Sequence, residues 1–373
     1  MDIDEVQDSD VIEKDEDTAE EDRSDNGGLY PYDPTQADID IRGDLQTVFE
    51  LMRKYDNNKL IIDPDFQRNL VWTPENKSQF IESVILNFPL PPLYVNQTLE
   101  GKYIIVDGLQ RISTLHEFVN DEFNLIGLEA LIDLNGYNFS KLKELPGDYQ
   151  TRIEDKKLYI HIIKPSVPAK VVYDIFNRIN TGGTYLERQE VRNGIYSGKS
   201  TKLLKELSEA DYFKKAIDYG ISPKRMKDRE AVLRYLAFKI FDYETEYQGK
   251  LSDFLDNVMK KINLMTEEEI EGLKNDFMRV MNLSFEFFGK RNFRLPTPER
   301  RGRINIAIFE SVSYFLSINS DDFLQSYKKN IQDNFDKLLQ IPEYIDAVRY
   351  ATSSKAKVIT RFKLAQEVLG NVS

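Results

Sequence analysis

Apolar residues return at helical spacing through Asp44 to Tyr55, where Leu45, Val48, Phe49 and Met52 share a face and predict a short amphipathic helix. Leu60, Ile61 and Ile62 form a brief apolar run closed by Pro64. Thr73-Pro74-Glu75 joins a capping hydroxyl to a proline in the first turn, which predicts a helix start. Phe80, Ile81, Val84 and Ile85 mark the inner face of that helix, and Asn87 and Pro89 stop it. Leu93 to Asn96 and Tyr103 to Val106 read as strands flanking a Leu99-Glu100-Gly101 turn. A helix follows directly, with Ile112, Leu115, Phe118 and Val119 inward. Residues 121–157 are polar and punctuated by glycine, and no period assigns them. Tyr159 to Ile163 predicts a strand. Pro168 opens a helix with Val171, Val172, Ile175, Phe176 and Ile179 on one side, broken at Thr181-Gly182-Gly183. From residue 200 onward the spacing is helical almost throughout, as in Val232, Leu233, Leu236 and Ile240. No internal repeat is present. The pattern alone gives an α/β domain followed by an all-helical one.

A length of 373 residues fits two domains. The net charge of −13 changes its meaning once it is divided along the chain. Residues 1–25 carry thirteen acidic side chains against Lys14 and Arg23, a net −11, which leaves −2 for residues 26–373. The opening is therefore expected to be a disordered acidic tail, and the folded part, being near neutral, is free to carry basic patches. No apolar run approaches the roughly 20 residues of a membrane helix. The start lacks a basic and then apolar leader pattern. Zero cysteines exclude disulfides, thiolate zinc sites and cysteine nucleophiles. The expectation is a cytoplasmic protein with no membrane partner.

The strongest chemical feature is Ile104-Ile105-Val106-Asp107-Gly108-Leu109-Gln110-Arg111. A strand ends at a carboxylate, turns on glycine and enters a helix whose first turn carries an amide and a guanidinium. Backbone N–H groups at a helix start attract anions, and an arginine grips phosphate oxygens in pairs. Asp107 is suited to hold a divalent cation or orient a water, and Gln110 to position that water or read a base. The plainer alternative is a structural joint in which Asp107 caps the helix and Arg111 makes a salt bridge. Asp-Gly turns are common enough that the residues alone leave both open.

Asp107-Gly108-Leu109-Gln110-Arg111, with Ser113-Thr114-Leu115 after it, resembles the DGQQR motif of the family that forms the N-terminal part of GmrSD-type restriction enzymes. Leu109 stands where the family usually has its first glutamine. Three more segments resemble family motifs in the same order: Asp65-Phe66-Gln67-Arg68-Asn69-Leu70-Val71-Trp72, Glu82 to Pro92, and Phe176-Asn177-Arg178-Ile179-Asn180-Thr181-Gly182-Gly183 with Leu186 and Gln189-Glu190. The resemblance covers residues 60–196. It implies a ParB/sulfiredoxin-like fold over 29–198, which with the acidic tail over 1–28 and the helical pattern over 199–373 gives an α+β chain. It also implies a nucleoside triphosphate with Mg²⁺ at the motif, in a restriction or phage-defence system. Asp107, Gln110 and Arg111 are the expected catalytic residues, and Asp107 the metal ligand. The nucleotide site would draw on Gln67, Arg68, Asp107, Gly108, Gln110, Arg111, Ser113, Thr114, Arg178, Asn180, Thr181, Gly182 and Gly183. Arg68 and Arg178 are candidates for the remaining phosphates, and Gly182-Gly183 can bring backbone amides close to a ligand. Leu109 removes any role that needed a polar group there.

Several further features weigh on function. Gly194-Ile195-Tyr196-Ser197-Gly198-Lys199-Ser200 imitates a phosphate-binding loop, but it is one residue short between its glycines and follows a helix, so it reads as helix termination. An HNH nuclease domain, the C-terminal part of full-length GmrSD-type enzymes, needs a histidine base. The chain has only His116 and His161, both in its N-terminal half, so such a domain is expected to be absent. His161, in an apolar strand, is expected in the core; His116 reads as packed or solvated. Trp72, the single tryptophan, reads as core rather than base-stacking. Lys290, Arg291, Arg294, Arg300, Arg301 and Arg303 against Glu299 make a +5 stretch with Phe293 among them, a candidate DNA-binding loop. Three functions follow: a Mg²⁺-dependent nucleoside triphosphatase, a non-catalytic nucleotide or DNA switch acting with a separate nuclease subunit, and a nuclease using Asp107.

Overall fold

The computed structural model describes residues 39–61, 72–98, 101–179, 187–297 and 302–372. The acidic tail, Gln67, Arg68, Asn180, Thr181, Gly182, Gly183, Arg300 and Arg301 lie outside them. The chain divides into two compact units, one spanning Tyr32–Ile195 and one containing Tyr196–Ser373.

The first unit is built on five strands: β1 (Ile41–Thr47), β2 (Leu60–Ile61), β3 (Leu93–Gln97), β4 (Tyr103–Asp107) and β5 (Lys157–Ile163). Their order across the sheet is β1-β5-β3-β4-β2. β1 and β5 run antiparallel, as do β3 and β4, whereas β3–β5 and β2–β4 are parallel. One face carries Leu93, Val95, Leu158, Ile160 and Ile162. It packs beneath α1 (Val48–Asp56), α2 (Pro74–Ile85) and α3 (Leu109–Val119). On the other face Val106 and Ile163 meet Val171 and Val172 of α5 (Ala169–Ile179) and Val191 of α6 (Arg188–Ile195).

The helix expected over Asp44 to Tyr55 is divided at Thr47. Its first residues are strand β1, paired along β5 from Ile41–Ile163 to Thr47–Lys157. Thr47 then starts α1 through a reciprocal cap: its hydroxyl accepts from the Glu50 amide at 3.2 Å, and the Glu50 carboxylate accepts from the Thr47 amide at 2.8 Å. Thr73 caps α2 as the sequence predicts, and half-buried Trp72 packs against Phe80 at a ring separation of 5.4 Å.

The segment that no period assigned, residues 121–157, holds two 3-10 turns (Ile132–Leu134 and Ser140–Glu144), α4 (Tyr149–Glu154) and the first residue of β5. It is anchored by polar bonds. Buried Glu82 on α2 accepts from the amides of Ala130 (2.9 Å) and Leu131 (2.7 Å). Lys156 donates to Asn87 and to the carbonyl of Phe88, both at 2.7 Å, and its burial lowers its ammonium pKa.

The second unit is helical among its described residues. It runs from α7 (Lys199–Glu209) and α8 (Asp211–Ala216) through α9 (Lys227–Ile240), α10 (Leu251–Leu264), α11 (Glu267–Phe288) and α12 (Ile306–Ile318). It continues through α13 (Asp321–Ser326), α14 (Lys328–Leu338) and α15 (Pro342–Arg349) to α16 (Lys355–Leu369). The Gly194 to Ser200 segment joins α6 to α7, helix to helix, and Lys199 there donates to the carbonyl of Met265 at 2.7 Å. No described helix of the chain is long and apolar enough to cross a membrane.

Candidate functional site

β4 ends at Asp107 and α3 begins at Leu109, so Gly108 alone makes the turn. Its φ of +98° lies in the left-handed region, which glycine adopts freely. A Cβ on Gly108 would stand 2.2 Å from Leu93 Cδ2 and 3.1 Å from Arg111 Nη2. The start of α3 has no side-chain cap and no acidic residue in its first turn. Among the described residues no N-cap side chain serves its first turn, where backbone N–H groups lack intrahelical acceptors. Gly108→Ala is expected to destabilise the α/β unit by at least about 1–2 kcal/mol from the left-handed backbone alone, with the Leu93 clash adding to it. An unchanged urea midpoint would contradict that construction of the turn.

Arg111 is largely enclosed, with its side chain 13% exposed. Nη2 donates to Asp107 Oδ2 at 2.8 Å and to the carbonyl of Pro92 at 3.2 Å, and Nη1 donates to the carbonyl of Pro91. Burial lowers the Arg111 pKa and Asp107 opposes that shift; an arginine stays protonated regardless. The Pro91-Pro92 passage and the Asp107–Arg111 motif, far apart in sequence, thus meet at one guanidinium. Asp107 is 30% exposed, and among the described residues its other oxygen, Oδ1, makes no hydrogen bond. Both the ion pair of the plainer alternative and a guanidinium beside an open helix start are therefore present together.

Behind the turn, Ser113 and Thr114 are buried, and neither hydroxyl has a hydrogen-bond partner. Gln110 is half-buried. Arg178 stands on α5 with its side chain 65% exposed and pairs with Asp174 one turn back at 3.0 Å. Neither Asp107 nor Arg111 bonds to it.

The site list drawn from sequence omitted α6. Gln189, Glu190, Arg192 and Asn193 on that helix are all at most 2% exposed. Arg192 donates to Gln189 Oε1 at 2.8 Å, and Glu190 accepts from the Glu187 amide at 2.8 Å. A Cβ on Gly194 would rest 3.7 Å from Ile104, which sets this helix against the strand that ends in Asp107. With only Val191 and Ile195 apolar, such a helix reads as surface. Its one sequence signal was the Gln189-Glu190 pair of the family-like block.

In the helical unit the basic stretch does not form one surface. Arg294, expected to contact DNA, is 6% exposed and donates to the carbonyls of Gly302 and Ile217, the latter at 3.1 Å, so it is an internal strut. Phe293 is fully buried against Phe309, 4.9 Å ring to ring, and offers no stacking face. Arg291 pairs with Asp336 at 2.5 Å. Lys290 and Arg303 are exposed. His116 packs on Tyr55 at 4.2 Å with Asp56 3.6 Å away, and no bond links it to Asp107 or Arg111. His161, expected in the core, is half-buried between Tyr94 and Tyr159. Among the described residues no group of three His, Asp or Glu side chains converges as a metal cage.

This sheet, with its single-glycine turn between a carboxylate and an uncapped helix, places the first unit among mixed α/β domains. Residues 48–197 match the model of the GmrSD restriction endonuclease N-terminal domain. β1 precedes the matched segment. No curated protein and no solved structure matches the chain.

Proposed function

We propose that the Asp107–Arg111 turn binds the phosphates of a Mg²⁺-nucleoside triphosphate and hydrolyses it, as the sensing part of a DNA restriction or phage-defence system. The observation that carries this reading is the uncapped start of α3 beside a guanidinium held in place by Pro91 and Pro92. Backbone amides at the start of α3 would donate to phosphate oxygens. A phosphate taking the place of Asp107 on Arg111 would release that carboxylate. Mg²⁺ is commonly held by one or two carboxylates with substrate phosphates and waters completing its shell, so Asp107, with Oδ1 already open, fits as its protein ligand. The bound cation would supply charge neutralisation of the phosphates. Gln110 would orient the attacking water, and Arg68 and Arg178 would balance the remaining charge. Ser113 and Thr114, with Asn180, Thr181, Gly182 and Gly183, are proposed to complete the site.

A second reading, a nucleotide switch without turnover that acts with a separate nuclease subunit, is favoured by one observation. Among the described residues Asp107 is the only carboxylate at the turn, and it is already paired with Arg111. Phosphate release from ATP, GTP, CTP and UTP with Mg²⁺, beside an Asp107→Asn control, separates the two. Release that the control loses supports the enzyme. Saturable binding without release supports the switch. Neither release nor binding would sink both. DNA binding by exposed Lys290, Arg291 and Arg303 (with Arg300 and Arg301) is proposed as the coupled activity of the helical unit.

A further inference from the structure

One feature of the α/β unit takes no part in the phosphate site yet borders on it. β1 and β5 present one face through the facing pairs Thr47–Lys157, Leu45–Tyr159, Gly43–His161 and Ile41–Ile163. β3 continues the row, because Tyr94 stands beside His161 on one side and, after a register shift, opposite Asp107 on the other. Gly43, His161, Tyr94 and Asp107 thus occupy successive strands in one line across the sheet.

Three rings lie along that line. Tyr94 and His161 are stacked, with centroids 4.6 Å apart and planes at 25°. Tyr159 meets the edge of His161 at 5.0 Å and 74°. The Tyr159 ring leans over Gly43: a Cβ there would stand 2.1 Å from its Oη and 2.8 Å from its Cζ. The glycine lets that ring lie down on the strand. Although it sits in a sheet, Tyr159 is 44% exposed, and Leu45 beside it 59%. The Tyr159 ring is therefore open to solvent, while His161 and Tyr94 beside it are half-buried, Tyr94 against the Val106 and Ile163 cluster; Tyr159 is two inter-strand spacings, about 10 Å, from β4.

We infer that this Tyr159–His161–Tyr94 stripe holds the base of the nucleotide whose phosphates sit at the Gly108–Arg111 turn, with Tyr159 as the stacking face. The inference rests on the phosphate reading above. Continuity of the row into Asp107 selects this occupant. An aromatic face accepts any base, because every base has a π-face. A long single strand would need a run of cations beside the rings, whereas β1 and β5 carry only Arg42 and Lys157 against Asp44. The ring's cover over Gly43 also steadies an edge strand, so the test has to separate recognition from support.

Calorimetric titration of the full chain with ATP, GTP, CTP, UTP and inorganic tripolyphosphate, all with Mg²⁺, does so. The wild type should bind at least one nucleotide more tightly than tripolyphosphate, by a factor of roughly five to a hundred, the worth of one stacked base. Tyr159→Leu, which keeps an apolar cover on Gly43, should bring that nucleotide down to the tripolyphosphate affinity and leave tripolyphosphate unchanged. Tyr159→Phe should behave as wild type, and His161→Leu should repeat the loss if Tyr159→Leu does not fold. Equal affinities for nucleotide and tripolyphosphate in the wild type would overturn the inference and leave the phosphate site standing. So would a parallel loss of both ligands in Tyr159→Leu. Failure of the wild type to bind any of the five would remove the phosphate reading and this inference with it.

Discussion

Arg111→Ala should abolish saturable binding of Mg²⁺-nucleoside triphosphate and, with it, any phosphate release. The guanidinium is the one described cation at the Gly108 turn, and it is aimed by fixed carbonyls rather than by a mobile chain. Its removal would take a charge-assisted contact, worth about 1.5–3 kcal/mol, from each phosphate oxygen that it reaches. It would also leave Asp107 unpaired, a bare negative charge where an anion must dock. Both effects act in one direction. Arg111→Lys restores the charge without the planar fork, so it should recover part of the affinity. A folding control is needed, because the carbonyls of Pro91 and Pro92 lose their donor too. Nucleotide affinity equal to wild type in a folded Arg111→Ala protein would reduce the pair to a structural salt bridge.

The second large effect is expected far from that turn, in the helical unit. Arg361→Leu should destabilise it by about 3–5 kcal/mol, the usual cost of leaving one partner of a buried ion pair alone. The Glu310 side chain is 1% exposed; Oε2 accepts from Arg361 and Oε1 from Arg234 at 3.3 Å. Arg361 is itself 2% exposed and also donates to the carbonyl of Thr352. Arg234 stays to offset part of the charge, which favours the lower end of the range. Replacing both Glu310 and Arg361 by leucine removes charge and counter-charge together, and most of the stability should return. Urea denaturation followed by circular dichroism reads both variants. A single substitution that costs less than about 1 kcal/mol would show that the pair behaves as a surface one.

What could be read from the residues followed where a local signal was strong. The Thr73 cap, the strands around Leu93 and Tyr103, and the helix after Gly108 all carry their pattern within a dozen residues. β1 did not. Leu45, Val48, Phe49 and Met52 sit at helical spacing, but pairing with β5, more than a hundred residues on, overrides that spacing as far as Thr47. The capping pair Thr47 and Glu50 was the local sign of the change. Residues 121–157 lacked a period because their buried Leu125, Leu128, Leu134, Phe139, Leu142 and Ile153 fall at irregular spacing, with Glu82 and Lys156 fastening the backbone around them.

At the site, Asp107, Gly108 and Arg111 were legible as a unit. The grip of Pro91 and Pro92 was not, since it is made by backbone carbonyls that no side-chain pattern betrays. Buried Gln189 and Arg192 went unseen because four polar residues on an eight-residue helix read as solvent-facing. The same logic misread Arg294 and Phe293: charge and aromaticity in a loop gave no hint that both turn inward.

The order β1-β5-β3-β4-β2 also bears on how the chain is made. Among the described strands β1 pairs with β5, and β3 borders β5 in parallel, so the strand that joins β1 to the rest of the sheet is the last to leave the ribosome. Until Ile163 has emerged, β1 has no neighbour at all and β3 offers one open side. Closing that loop of more than a hundred residues is slow, and unpaired strand edges meanwhile invite other chains. A translational stall that keeps β5 inside the ribosome would therefore strand an adhesive fragment, whereas one late enough for Ile163 to have emerged would leave a sheet with every described strand in place.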